Sequence, residues 1–392
     1  MTLPLEGIRI LDLTMYLPGP FGTQMLADFG AEVIKVEELG GEWGRKVYPV
    51  VGEKSALFYA VNRGKKSIAI NLKSDQGKEL FKQLCMTADV VVEQFRPGVM
   101  DRLGLGYQEL KKENSRLIYC SISGYGHSGP LQYAAGHDLN YLSIAGITGL
   151  TGSSEHPELS GVQIADLAGG SLVAVISMLL ALQAREKTGQ GQYCDVAMMD
   201  GALSLLVYSL AEWSGIERLP HRGKEILTGG YACYQVYKTA DDRFVSLGAV
   251  EYKFWQGFCE RIGRPDYGPY QWDFSRQEEI LSDIRQIMAG KTQQEWVEFF
   301  AADDICFTPV LTLEEMCEHP QVKERKMVFI LEDLAGSGKN MAITGSPIKL
   351  SDTPAVIKPV YPELGEHTDD VLSQLGYSLE DITRLKEEKV IA

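Results

Sequence analysis

Over the first 125 residues, short apolar runs alternate with segments whose apolar positions recur every three or four residues. The runs GIRILDL (7–13), EVIKVE (32–37), SIAINL (67–72), DVVVEQF (89–95) and RLIYCSISG (116–124) have the length and β-branched content of strands buried on both faces. Between them, residues 20–29, 75–88 and 107–114 carry the helical period, and YLPGPFG reads as a loop. Strands alternating with helices predict an α/β fold with a mostly parallel sheet covered on both faces. A long helix from about Asp166 to Glu186 follows, then the turn KTGQGQ (187–192) and a mixed region to about residue 225. From 229 to 251 the pattern changes to aromatic and β-branched strands with ADD as a hairpin turn, followed by helices carrying Trp255 and Trp296. This predicts a second, smaller α+β domain over about 226–325, and the tail beyond it reads as helical and acidic.

The chain has 392 residues, more than one hydrophobic core usually supports, so two domains are expected. Against 53 Asp and Glu there are only 38 Lys and Arg, a net charge of −15, which excludes a general nucleic-acid or anionic-membrane surface. The seven cysteines are scattered without CxxC or CxxH spacing, which argues against a disulfide scaffold and a structural zinc site and suits a reducing cytoplasm. No basic, apolar leader opens the sequence, and SLVAVISMLLALQA is too short a run to span a bilayer, so a cytoplasmic chain without membrane or nucleic-acid partners is expected. The first turn, LTMYLPGPFGTQM, lacks the GxGxxG spacing of a dinucleotide site. A GxxxxGK[ST] phosphate loop and a GxSxG nucleophile elbow are also missing.

Candidate chemistry lies in a few residues. Asp166, in IADLAGGSLVAV, stands where a helix begins; Asp is a favoured N-cap there, and the same amide groups and helix dipole keep a carboxylate ionised for use as nucleophile or base. Gly169 and Gly170 after it would let a substrate approach the backbone. His137, in AAGHDLNY, follows the strand at 116–124, where the loops of parallel sheets bind ligands, while its neighbour Asp138 reads as an ordinary helix-start residue. His127 shares that loop but sits in a polar turn and is the weaker candidate. Glu251 closes the strand FVSLGAVE; an exposed strand-end carboxylate is ordinarily solvated, but beside an imidazole it would fix the tautomer and raise its basicity. Arg63, Lys65, Lys66 and Lys73, with Arg96 and Arg102, form an early basic block that suits either a solvated face or a ligand with several phosphates.

Taken together, LPLEGIRILDLTMYLPGPFGTQMLADFGAEVIKVE, NRGKKSIAINLKSDQGKE, VVEQFRPGVMDRLGLGY, LIYCSISGYGHSGP, KTGQGQYCDVAMMDG, CFTPVL and LGEHTDDVLSQLGY resemble, in order and over nearly the full length, the class III CoA-transferase family. That group includes formyl-CoA transferase, carnitine CoA-transferase and α-methylacyl-CoA racemase. The resemblance implies a large Rossmann-like domain built from both chain ends (1–200 and 326–392), a linker at 201–225, a small domain at 226–325 and two interlocked subunits in a homodimer. It implies acyl-CoA as substrate, with coenzyme A entering as part of it and no tightly bound cofactor or metal. Phe95, Arg96 and Arg102 sit in the motif that contacts CoA in relatives, and Arg63, Lys66 and Lys73 acquire phosphates as a candidate ligand. Where many relatives continue the second strand with Arg-Pro, this chain reads VEELGG.

Asp166 matches the aspartate that attacks the thioester in the transferases, and GHDLNY resembles the GHDINY of the racemase branch. Epimerisation removes a proton from one face of the α-carbon and returns one to the other, so it needs a base on each side, which His137 and Asp166 would supply. Backbone N–H groups at the Asp166 helix start would meet the enolate oxygen, and Glu251 in GAVE matches a GAIE glutamate beside the histidine. ADLAGG replaces a frequent Asp-Phe-Gly-Gly and would reshape the acyl pocket. The leading expectation is an epimerase of 2-methyl-branched or other 2-substituted acyl-CoA; CoA transfer through an aspartyl anhydride comes second, and a non-catalytic acyl-CoA binding protein third.

Overall fold

The computed structural model describes residues 2–392, which divide into two compact units. The larger runs to Ala145 and includes Val162–Leu205 and Pro320–Ala392; the smaller comprises Gly146–Gly161 and Leu206–His319. Residues 206–225, expected as linker, thus belong to the smaller unit, as do 146–161 and the stretch up to 319 rather than 325. The segment 146–161 is separated in the chain from the rest of its unit by 44 residues of the other unit, Val162–Leu205, and no periodicity marks such an exchange.

The larger unit is built on a six-stranded sheet, every pairing parallel, in the spatial order Lys66–Ala69, Glu32–Glu37, Arg9–Leu13, Val90–Glu93, Ile118–Ser123, Tyr193–Ala197. Counted along the chain this is 3-2-1-4-5-6, so the winding reverses between Arg9–Leu13 and Val90–Glu93. Such a reversal marks the place, beyond the carboxyl ends of the strands, where sheets of this kind bind ligands. The residues of the first, second, fourth and fifth strands are almost all buried, as predominantly apolar runs require when helices cover both faces.

Helix Pro18–Asp28 starts with Pro18, whose missing N–H costs nothing in the first turn. A Cβ on Gly19 would lie 2.2 Å from that of Thr14, so only glycine lets this helix begin so close to the strand end. Helix Asp75–Thr87 is capped by the Ser74 hydroxyl, which accepts the Gly77 N–H at 3.0 Å, and buries Leu80, Phe81, Leu84 and Cys85 on one face. The C-terminal helices Thr368–Gln374 and Leu379–Glu387 add Val371, Leu372, Ile382 and Leu385 to the same core, and the Asn71 N–H donates to Val390 O at 2.8 Å. Both chain ends therefore complete one hydrophobic cluster.

The apolar run expected to be short belongs to a continuous helix of 24 residues, Ala165–Thr188, long and apolar enough to cross a membrane by length and composition. Here it packs against the Ile118–Ser123 and Tyr193–Ala197 strands and buries Ala174, Val175, Met178 and Ala181. The smaller unit holds a three-stranded antiparallel sheet (Tyr234–Lys238, Phe244–Gly248, Phe307–Pro309) with the hairpin turn at Ala240–Asp242, where Asp242 takes a φ of 59°. Trp255, Phe258, Ile284, Trp296 and Phe300 form its core.

Candidate active site

A cavity of about 900 Å³ opens at the winding reversal of the larger unit. Met15 and Tyr16 line it from the loop after the first strand, Gln94 to Pro97 from the loop after the fourth, and Gly124, Tyr125 and His137 from the loop after the fifth. Tyr16 has a φ of 62°, unusual for a side chain of its size, and is held from below: its N–H donates to Glu42 Oε2 at 3.0 Å. The other oxygen of Glu42 pairs with the wholly buried Lys35 at 2.7 Å, and Lys35 also donates to Thr14 O at 2.8 Å.

His137 stands at the N-cap of helix Asp138–Ile144, and its N–H donates to Asn140 Oδ1 at 3.0 Å. That bond completes the helix start, while the exposed imidazole lines the cavity. Asp138 does more than begin a helix: its Oδ1 accepts the Asp166 N–H at 3.0 Å, tying the two candidate bases together through one side chain. Asp166 lies in the first turn of a π-helical stretch, Ala165–Leu172, and its carboxyl faces the same cavity. Burial and the neighbouring Asp138 push the Asp166 carboxyl up to about 6, with His137 opposing them.

Two expectations are corrected here. The Asp166 N–H is consumed by Asp138 and the Leu167 N–H by Gln163 O, so neither amide is left for an enolate oxygen. Gly169 and Gly170 serve packing rather than substrate approach: a Cβ on Gly169 would lie 2.3 Å from Met198 O, and one on Gly201 would lie 2.4 Å from Gly169 O. Helix Met198–Ser204 fills the space those glycines leave.

The basic block separates into two kinds of residue. Arg63 is buried and donates to both oxygens of Asp28, at 3.0 and 2.6 Å, and to Thr344 O at 2.9 Å, which rules it out as a phosphate ligand. Lys65 is wholly buried on Asp12 at 2.9 Å, and Lys66 pairs with Glu32 at 2.6 Å. Lys73 is exposed, 3.7 Å from Glu38, and Arg96 and Arg102 are exposed around helix Val99–Leu103, with Arg96 and Phe95 lining the cavity. After the second strand, where the sequence departs from the Arg-Pro of relatives, Arg45 folds back on Glu37 with two bonds of 2.7 and 2.6 Å. Glu251 is exposed in the smaller unit, at the N-cap of helix Tyr252–Arg261. Met15, Tyr16, Gln94, Tyr125 and Asn140 also line the cavity; the first four sit in loops and Asn140 in the short helix Asp138–Ile144, and no periodicity in the sequence distinguishes any of them. Among the described residues, no group of three or more His, Cys, Asp or Glu side chains is placed to hold a metal ion.

The model of CoA-transferase family III matches residues 5–368. The chain is 36% identical over 394 residues to α-methylacyl-CoA racemase of Homo sapiens, covering 99% of this chain and 97% of that one. It is 35% identical over 378 residues to acetyl-CoA:oxalate CoA-transferase of Acetobacter aceti, covering 93% of each. The crystal structure of a CAIB/BAIF family protein from Brucella suis superposes with a TM-score of 0.83 at 30% identity, covering 96% of this chain and all of that one.

Proposed function

Because the chain belongs to CoA-transferase family III, we propose that it epimerises the α-carbon of 2-methyl-branched or other 2-substituted acyl-CoA thioesters, with His137 and Asp166 as opposed bases. The observation that carries this reading is that the two side chains line one cavity, with the Asp166 carboxyl pushed up to about 6, where it exchanges a proton near neutral pH. In one direction the His137 imidazole takes the α-proton, the electron pair moves onto the thioester oxygen as an enolate, and the Asp166 carboxylic acid returns a proton to the opposite face. The reverse direction starts from ionised Asp166 and protonated His137. Arg96 and Arg102 suit the phosphates of the coenzyme, with Lys73 farther along the surface.

CoA transfer is the second reading, supported by relatives such as the A. aceti transferase and by Asp166 itself. There an ionised Asp166 oxygen bonds to the thioester carbonyl carbon, the C–S bond breaks, CoA thiolate leaves and an acyl-aspartyl anhydride remains for an acceptor carboxylate. Incubation with a 2-methylacyl-CoA in deuterated water, beside an assay with labelled carboxylates, separates the two. Deuterium gain at the α-carbon without label exchange supports epimerisation; label moving onto CoA without α-exchange overturns it.

A homodimer is part of the same proposal. Helix Val207–Ile216 buries none of its residues and exposes Val207, Tyr208, Leu210, Trp213 and Ile216, an apolar surface of the kind that a second copy covers.

A further inference from the structure

Glu93, Ser121 and Asp195 occupy adjacent, in-register positions on the fourth, fifth and sixth strands of the larger sheet, Glu93 as the last residue of its strand and the other two inside theirs. Glu93 is 3% exposed and Ser121 is fully buried. Glu93 Oε2 accepts the Phe95 N–H at 2.7 Å, and its Oε1 is bonded to the Ser121 hydroxyl. The same hydroxyl lies 2.6 Å from His127 Nε2, while the His127 N–H donates to Asp195 Oδ2 at 3.1 Å. The His127 ring stands edge-on to Tyr193, with 5.8 Å between ring centres. Glu93, His127 and Tyr193 border a second cavity, of about 200 Å³, which Tyr107, Tyr119 and Arg96 also line.

No cation offsets the Glu93 carboxyl in this arrangement; Ser121 and the Phe95 amide stabilise its charge, while Asp101 and burial disfavour it. Burying an acid without a cation is expensive, and the bonds from Ser121 and the Phe95 amide offset part of that cost. What the acid and the histidine have in common is the loop each one holds. Glu93 fixes the start of the loop 94–97, and His127 fixes the start of the loop that ends at His137. Both loops line the main cavity. A serine hydroxyl has one proton, so it can donate to only one of its two partners and must accept from the other. Either Glu93 is the acid and Ser121 donates to His127 Nε2, or His127 Nε2–H donates to Ser121 and Ser121 to the Glu93 carboxylate. In both arrangements the chain of bonds is unbroken from one loop to the other.

We propose that Glu93, Ser121 and His127 form a positioning chain that ties the phosphate-side loop 94–97 to the loop carrying His137, so that a change at either loop is felt at the other. The proposal rests on the functional reading above only in taking coenzyme A as the ligand of the first loop. Burial pushes the Glu93 carboxyl up to about 7, which agrees with a proton held within this chain at neutral pH.

The test compares full-length wild type with Ser121→Ala, His127→Phe and Glu93→Gln by amide hydrogen exchange without ligand and by titration with coenzyme A. In Ser121→Ala, exchange rises about fivefold both at Phe95 and in the segment 126–136, as expected for one lost hydrogen bond at each end. In His127→Phe, which keeps a ring beside Tyr193, exchange also rises at Phe95, on the other loop. Glu93→Gln can satisfy the chain in one fixed arrangement and stays within about twofold of wild type. The coenzyme A dissociation constant rises about fivefold in Ser121→Ala and in His127→Phe, and the double variant is no weaker than either single. Exchange that rises only in residue 127's own loop, or additive losses in the double variant, overturns the tie. Wild type that fails to bind coenzyme A overturns the functional reading instead, and the exchange measurement, which needs no ligand, still judges the proposal.

Discussion

Two aspartates of the larger unit sit in opposite electrostatic settings. Asp12 is fully buried on a central strand of the sheet, opposite Lys35 in the strand register, and its Oδ2 meets Lys65 at 2.9 Å and the Thr23 hydroxyl at 2.6 Å. Burial alone would raise its carboxyl, but Lys65 and Lys35 outweigh it and hold the group well below the usual carboxylate range. Asp166 is only partly buried, beside another carboxylate, with His137 as its one favourable charge, and is raised. The first carboxylate is committed to the fold: its charge is matched before any ligand arrives. The second is left unmatched at the rim of a cavity, where a charge available to a substrate has to be.

The largest effect that tests this contrast is on Asp166. Asp166→Ala should lower α-exchange or CoA transfer by a factor on the order of 10⁴, with the urea midpoint unchanged or raised, because a desolvated carboxyl beside Asp138 is removed. Next is His137→Ala, which should cost α-exchange on the order of 10³ and largely spare any transfer activity; intact α-exchange would sink the two-base assignment. Asp12→Ala should invert the pattern. It strands buried Lys65, while Lys35 keeps Glu42, and should cost about 3–5 kcal/mol of unfolding free energy in urea titrations, whatever its effect on turnover.

The two carboxylates also respond to pH with opposite sign. Asp166 binds its proton more tightly folded than unfolded, so the stability it contributes is present below the ordinary value of 3.8 and is lost as pH rises through about 6. Asp12 is the reverse: its contribution is present above 3.8 and is lost as pH falls through its depressed folded value. In activity, α-proton removal in the direction that uses Asp166 as base should fall as pH drops through about 6. Asp138→Asn removes one of the two causes of that shift, so the acid limb should move to lower pH in initial-rate profiles of deuterium uptake. An unmoved limb would leave burial as its sole cause.

Legibility in the sequence follows the same division. The β-α alternation was readable because strands buried on both faces are predominantly apolar, and the hairpin at Ala240–Asp242 was readable from its turn residues. His137 and Asp166 were readable jointly, from motif order, and the structure brings both to one cavity. What stayed hidden depends on contacts between distant parts of the chain. Gly169 reads the same whether it faces a substrate or Met198 O, and Asp138 gives no sign that it accepts the Asp166 N–H 28 residues on. The strand order, which puts the cavity at the winding reversal, is likewise invisible to local pattern.

The basic block carries the smallest effect and shows the same contrast among cations. NRGKK and QFRPGVMDRLG look equally able to meet phosphates, yet Arg63 is consumed by Asp28 while Arg96 and Arg102 face outward. Arg96→Ala and Arg102→Ala should each weaken coenzyme A binding about tenfold, roughly the 1.5 kcal/mol of a charge-assisted hydrogen bond, and the loss should shrink as salt is raised. Their urea midpoints should stay at the wild-type value, since neither side chain supports the core. Arg63→Ala should instead lower the midpoint by leaving Asp28 buried without its partner, and coenzyme A affinity in the folded fraction should be unchanged. If Arg63→Ala weakened binding more than Arg96→Ala, the buried guanidinium would have to open toward the ligand, and the division between committed and available charge would fail at that residue.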